Sequence, residues 1–235
     1  KIDKLGQKTL IDSGVMKVER HDFNELMQKY SSMEPTCPTC EYDTEQAAVL
    51  ERRPYLLECH SVITNSDEKK IKCQLPCGTG KTYIMLYAIQ HELQQDSSLK
   101  FIVIVPWLDL AQQTFQLYKE QFGIKCVFVG DGKRIDNDEY NVVICVNQSA
   151  EHIPKNTQFR YKFVDEAHHL ENPNSKIKEV VHEIKSDKEI HFSATFYNTD
   201  DLDYNYTMRQ AIDDGWISDY VVHFSFFNEG DRMDA

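Results

Sequence analysis

The sequence predicts an α/β protein built on a mostly parallel sheet with helices on both faces. Three observations lead there. Short apolar runs rich in β-branched residues, such as Phe101–Val105 (FIVIV) and Val142–Val146 (VVICV), recur along the chain and are too short for helices. Helical stretches fall between them, and strands that alternate with helices build a parallel sheet. A glycine-bearing loop, Gly78-Thr79-Gly80, joins one such strand to one such helix, where backbone amides and a helix N-terminus favour an anion.

The elements follow in order. Residues 1–34 form an extension in which Phe23, Leu26, Met27 and Tyr30 recur at i, i+3, i+4 and i+7, the spacing of an amphipathic packing helix. Asp22 can cap that helix, with Glu25 three residues on. A second helix is expected over residues 43–53, ended by Pro54, and residues 64–70 (TNSDEKK) read as a polar loop. A strand at 71–75 leads into the glycine loop and a helix over Lys81–Gln95. Phe101–Val105 is a strand, residues 108–121 a helix, and 125–129, 142–146 and 161–164 are further strands. A helix near 175–185 precedes the strand 189–192. The domain reading is an extension at 1–34, the α/β domain at 35–222 and a tail at 223–235. The strands at 71–75, 161–164 and 189–192 should share one sheet, with the glycine loop and Asp165 at adjacent strand ends.

Composition narrows the partners. The 235 residues suffice for one large domain with an appendage, and Lys1 in place of a methionine is expected of an excised or processed fragment. The longest apolar run, FIVIV, is far too short to cross a bilayer, and no signal peptide opens the chain, so the expected setting is intracellular, cytoplasm or nucleus. Net charge is −12, and residues 196–235 hold nine acidic against two basic residues. No basic patch announces nucleic acid; a strand would have to be held by a local groove, by backbone contacts or by a partner domain. Of the seven cysteines, Cys73, Cys126 and Cys145 sit in apolar runs and are read as reduced core thiols. Cys37-Pro-Thr-Cys40 has a zinc spacing, but a structural site needs about four ligands, and the adjacent pair Cys59-His60 suits one metal poorly. Structural zinc is not expected.

Two stretches carry chemistry. Gly80-Lys81-Thr82 completes the phosphate-binding pattern G-x-x-x-x-G-K-[ST], although Leu75 stands at the first glycine position. Gly78 and Gly80 permit positive φ, so the backbone around Thr79 can close on phosphates. Lys81 would hold the β- and γ-phosphates of a nucleotide and Thr82 a Mg²⁺ ion. Residues 161–168 read YKFVDEAH, an apolar strand ending in two acidic residues. Asp165 would hold the Mg²⁺ through its water shell, and Glu166 would act as general base on the attacking water. As the alternative, Asp165 and Glu166 merely cap the helix that follows.

Asp165-Glu166-Ala167-His168 matches the DEAH signature of superfamily 2 helicases, and Ser193-Ala194-Thr195 matches their third motif. Pro106-Trp107-Leu108-Asp109-Leu110-Ala111-Gln112-Gln113 resembles their strand-to-helix motif P-T-x-x-L-x-x-Q, which touches the nucleic-acid backbone. ICVNQS at 144–149 resembles the later backbone-contacting motif, with Gln148 in it, and Gln46 resembles the glutamine placed on adenine. The five occur in the family's order, and the pattern is closest to the type III restriction enzyme-like and repair-helicase branch. The resemblance implies a RecA-like P-loop NTPase domain that uses ATP and Mg²⁺ and relays its ATP state to a DNA or RNA strand, DNA being favoured. His168 would couple ATP to a neighbouring domain, and Ser193 and Thr195 would link Glu166 and His168 to the strand groove. His169 would be only a second polar cap. Trp107 replaces the usual threonine and Val146 sits where threonine is common; Trp107 can stack on a base or serve as a buried cap.

Family members close ATP between two RecA-like domains, the second bearing an arginine motif resembling Q-x-x-G-R-x-x-R. Nothing like it occurs here, and residues 211–220 resemble the segment by which many first domains end. The expectation is therefore the first motor domain of an ATP-dependent helicase or translocase, itself a poor ATPase. An RNA helicase, a P-loop kinase or GTPase, and a scaffold that has lost catalysis are the alternatives. Ser193-Ala194-Thr195 and the lack of an N-K-x-D guanine signature argue against a kinase or a GTPase; Lys81, Thr82, Asp165 and Glu166 together argue against the scaffold.

Overall fold

A computed structural model describes residues 53–171 and 176–220, nearly all within one compact unit, Ala47–Asp219. The expected helix at 23–30, Cys37, Cys40, Gln46 and the tail 223–235 lie outside the described residues.

The chain runs α1 (Pro54–Asn65), β1 (Lys70–Gln74), α2 (Lys81–Gln95), β2 (Phe101–Val105), α3 (Leu108–Gln116) and β3 (Cys126–Val129). It continues through β4 (Val142–Val146), β5 (Phe159–Val164), α4 (Lys176–Glu183), β6 (Ser186–Ser193), β7 (Tyr204–Asn205) and α5 (Met208–Asp213). Seven strands form one sheet in the order β3-β4-β2-β5-β6-β1-β7, every pair parallel. The α/β expectation holds, and β2 and β4 are buried at all five positions, as strands covered on both faces must be.

Strand alternation sorts the core into two layers. Phe101, Val103, Val105, Tyr161, Phe163, Ile190 and Phe192 face α1, α2 and α3 and pack with Leu56, Ile63, Ile84 and Ala111. Ile102, Ile104, Val143, Cys145 and Val164 face the other way, toward Leu170 and toward Val181 of α4. Each fully buried aliphatic or phenyl side chain contributes about 1.5–3 kcal/mol, so the two layers fix which face of each strand meets which helices.

Two expectations change, and Pro54 takes a role not foreseen. Pro54 opens α1: it stands in the first turn, where the missing N–H would have had no intrahelical partner; of the helix expected over 43–53 only Arg53, which is extended, is described. The expected helix over 108–121 is α-helical only to Gln116 and ends in a π-helical turn, Leu117–Gln121, which seats the fully buried Tyr118. The strands at 71–75, 161–164 and 189–192 do share one sheet, but β6 lies between β1 and β5, so the glycine loop and Asp165 leave strands that are not neighbours. Both still leave the C-terminal edge, where ligands of open α/β sheets bind. Among the cysteines, Cys59, Cys73 and Cys145 are buried free thiols and Cys126 is half-buried, whereas Cys77 is exposed in the loop. A loop that turns its amides inward leaves Cys77 no core to enter.

Candidate nucleotide site

The loop after β1 is anchored from several elements. The Leu75 N–H donates to Ser193 O (3.0 Å), so this departure from the glycine pattern is a buried strand residue pinned to β6. Gly78 at φ 80° and Gly80 at φ 94° supply the two left-handed turns that a side chain would strain. The wholly buried Thr79 donates its hydroxyl to Pro76 O (2.7 Å), and its carbonyl accepts from Tyr55 Oη (2.7 Å) on α1. Tyr118 Oη donates to Thr82 O (2.9 Å). Among the described residues no backbone carbonyl accepts from the N–H groups of Cys77, Gly78 and Gly80. Together with the uncapped N-terminus of the fifteen-residue α2, they present donors and positive potential to one space.

Opposite stand the acidic residues that end β5. Asp165 is buried; its N–H continues the ladder to Ile104 O (2.8 Å), and its Oδ1 accepts from the Glu166 N–H (3.0 Å). Burial pushes its carboxyl up and Glu166 adds to this, while Lys81 opposes it. Such a carboxylate, short of solvation, gains from a cation. Glu166 adopts a left-handed conformation, φ 49° and ψ 44°, at a cost of about 1–2 kcal/mol for a residue with a Cβ. That turn sends its carboxylate back across the sheet edge, where Oε1 lies 3.5 Å from Lys81 Nζ and accepts from Cys77 Sγ at 3.9 Å. Lys81, itself buried, also donates to Leu75 O at 3.5 Å.

A 3₁₀ turn, Ala167–Leu170, carries the two histidines. His168 Nδ1 lies 2.9 Å from Ser193 Oγ and 3.4 Å from Glu166 Oε2. Ser193 Oγ donates to Thr195 O (2.8 Å) and accepts from the Thr195 N–H (3.1 Å). Its one proton is thereby used, which assigns the shared proton of the His168 contact to Nδ1. Burial, reinforced by His169, lowers the pKa of His168 against the pull of Glu166, so the ring is neutral at neutral pH.

The structure thus brings Gly78, Thr79, Gly80, Lys81, Asp165, Glu166, His168, Ser193 and Thr195 to one edge, with Thr82 in the first turn of α2. Thr195 joins through its backbone, its side chain being exposed. Pro106 is buried at the end of β2, Trp107 beside it is 65% exposed, and Gln148 is exposed in the 3₁₀ turn Asn147–His152 after β4. Tyr55, Tyr118 and Gln74 were not found from sequence. Gln74 accepts from the Phe196 N–H at 3.2 Å and so ties the turn after Ser193 to β1. Their partners lie far along the chain, and no local spacing marks them.

The donor set fits a magnesium nucleotide. A glycine-bearing amide cradle, a lysine, a helix-start threonine and a buried aspartate suit a cation that keeps most of its waters. Among the described residues no cluster of three or more His, Cys, Asp or Glu side chains forms a protein-only metal cage.

A seven-stranded parallel sheet with this edge defines a RecA-like ATPase domain of the superfamily 2 helicase type. The particular family follows from the sequence: the type III restriction enzyme, res subunit family matches residues 24–198, well over half of the chain, and the chain belongs to it. The fold is similar to the SWI2/SNF2 ATPase core of Sulfolobus solfataricus in complex with double-stranded DNA, with TM-score 0.54 and 22% identity over 61% of this chain and 32% of that one. It is also similar to the type ISP restriction-modification enzyme LlaBIII bound to DNA, with TM-score 0.56 and 15% identity over 69% of this chain and 15% of that one. This chain therefore spans a third or less of either structure. No curated protein matches it.

Proposed function

We propose that the chain is the first motor domain of an ATP-dependent DNA helicase or translocase. One observation carries the reading: Lys81, on the phosphate-facing helix, and Glu166, after the buried Asp165, meet across the sheet edge at 3.5 Å. Thr82 and Asp165 would hold Mg²⁺, which would neutralise charge on the phosphates. Lys81 would pair with a γ-phosphate in place of Glu166, leaving the Glu166 carboxylate to polarise water. Its left-handed turn and the neutral His168 hold the carboxylate in place without protonating it. Ser193 and Thr195 connect His168 to the neighbouring strand end. Trp107 and Gln148, exposed at the ends of β2 and β4, are the strand contacts, with Pro106 setting the path of Trp107. Gln46 is proposed for adenine. DNA is favoured because the SWI2/SNF2 core and the LlaBIII enzyme described above are each bound to DNA; RNA is the second substrate to test. The remaining motor parts, a second RecA-like domain among them, are supplied outside the described residues.

Titration with Mg²⁺ and a fluorescent ATP analogue tests the site. Lys81→Ala should weaken binding tenfold or more, because the ammonium touches the phosphates in the ground state. Glu166→Gln should bind nearly as tightly as the wild type, and in the full-length protein should stop turnover. Equal nucleotide affinity in Lys81→Ala and wild type would remove the basis of the proposal.

A further inference from the structure

A contact on the strand-facing edge has no part in the site so far described. The Trp107 ring, 65% exposed at the start of α3, meets the exposed His169 edge-on, ring centroids 6.5 Å apart and planes at 83°. This lies within the 4.5–7 Å range of a favourable aromatic pair. His169 in turn lies against His168, centroids 4.1 Å apart. His168 reaches Glu166 and Ser193 through Nδ1. An unbroken series of contacts therefore runs from an exposed indole to the proposed general base.

We infer that Trp107 and His169 form a contact relay, in which His169 is a positioning residue reporting strand contact at Trp107 to Glu166 and reporting nucleotide at Glu166 back to Trp107. The inference rests on the helicase reading of this edge. Its physical basis is local. Ala167 and Leu170 are buried and hold the backbone of the 3₁₀ turn against the sheet, so the two histidines act on one another through their rings. A base stacked on Trp107 fixes the indole, and the indole fixes the edge of His169. His169 then limits where the His168 ring, and with it the Glu166 carboxylate, can sit. His169 is thus more than a polar cap, and the substitution of tryptophan for threonine at 107 supplies the ring that the relay needs.

Coupling between two sites is reciprocal and amounts to about 5–150-fold in affinity when present. The test uses the 235-residue chain, Mg²⁺–ATP and a fluorescein-labelled oligo-dT strand, with binding read by anisotropy and the indole by its own emission. ATP should change the indole emission in wild type but not in Trp107→Phe, which assigns the signal to residue 107 and not to Trp216. ATP should also shift the oligo-dT Kd about fivefold or more. His169→Ala should abolish the emission response and bring the two Kd values together, whereas His169→Phe, which keeps an aromatic edge, should restore most of the shift. Both positions are exposed, so the variants fold; circular dichroism checks this. If the Kd shift survives in His169→Ala while wild type shows it, the relay is wrong and the helicase reading stands. If the indole responds to ATP but oligo-dT and an oligo-U strand both fail to bind, the nucleic-acid reading is wrong and the relay falls with it.

Discussion

Tyr55 shows what a single buried hydroxyl does for the loop. It stacks on Tyr206, centroids 4.2 Å apart and planes 6° from parallel, and donates to the Thr79 carbonyl inside the cradle at 2.7 Å. Burial, opposed by Arg53, raises its pKa, so the phenol stays a donor at any working pH. Tyr55→Phe removes the donor and leaves a buried carbonyl unpaired, which costs about 1–3 kcal/mol. Urea denaturation should show that loss. The same variant should weaken Mg²⁺–ATP binding, since Thr79 would no longer be held from α1; unchanged affinity would mean that Pro76 alone fixes the loop. At this scale the sequence showed the residues whose chemistry is written in a local pattern: Gly80-Lys81-Thr82 and the run 165–168. It did not show Tyr55, Gln74 or Tyr118, since a tyrosine in an apolar helix is no different in sequence from any other core tyrosine.

Among the elements, α4 is held in an unusual way. Lys162 of β5, buried, donates to Val181 O (2.9 Å) and Ile184 O (3.1 Å) at the C-terminal end of α4 and to Glu189 Oε2 (2.7 Å) on β6. One ammonium therefore joins two strands and a helix, on the face opposite α2. Burial disfavours the charge on Glu189, but the His191 ring and the Lys162 ammonium outweigh it and bring the carboxyl from 4.5 to about 2. Two outcomes follow. Lys162→Met leaves Glu189 buried without its cation and should destabilise the domain by about 3–5 kcal/mol, measured by urea unfolding at pH 7. A depressed carboxyl contributes stability that is full above 4.5 and is lost as pH falls through about 2. The urea midpoint of the wild type should therefore fall across that window, and Glu189→Gln should flatten this part of the curve. Burial also lowers the pKa of His191, so a separate loss begins as pH drops below the ordinary histidine value. Sequence periodicity placed β1 to β6 within a residue or two at most ends; β2 and β4, buried at every position, are continuous apolar runs and were located to the residue. It missed Pro54 as a helix start, since proline ends and begins helices by the same missing N–H. It also missed β7 and α5: a two-residue edge strand has no period, and α5 declares itself only by the capping box of Thr207 and Gln210.

For the whole molecule, charge and arginine placement decide what the chain does by itself. The sequence made the parallel sheet legible but not the position of β6 between β1 and β5, because strand order depends on crossovers whose direction no local pattern records. The result is a candidate nucleotide edge that gathers Lys81, the exposed thiol Cys77, and Asp165, Glu166 and His168. The described arginines are engaged elsewhere. Arg53 lies over the Trp216 ring at 5.1 Å, Arg160 binds Glu92 at 2.7 Å, Arg209 pairs with Asp213, and Arg134 lines a groove beside β3. Among the described residues no arginine forms an ion pair with Asp165 or Glu166 beside Lys81. Where an arginine finger is wanting, phosphoryl transfer slows by about 10³–10⁵. A site closed from one side also leaves the phosphates in water, where each contact is weaker. The 235-residue chain should therefore bind Mg²⁺–ATP measurably yet turn it over far below 1 s⁻¹, about the lower end of ordinary enzyme rates. With net charge −12, its hold on oligo-dT should be weak and should fall further as salt rises. Coupled-enzyme ATPase assays with and without oligo-dT check this. Strand-stimulated turnover at 1 s⁻¹ or faster would mean that the chain completes its own site, and that the opposing charge comes from residues beyond those described.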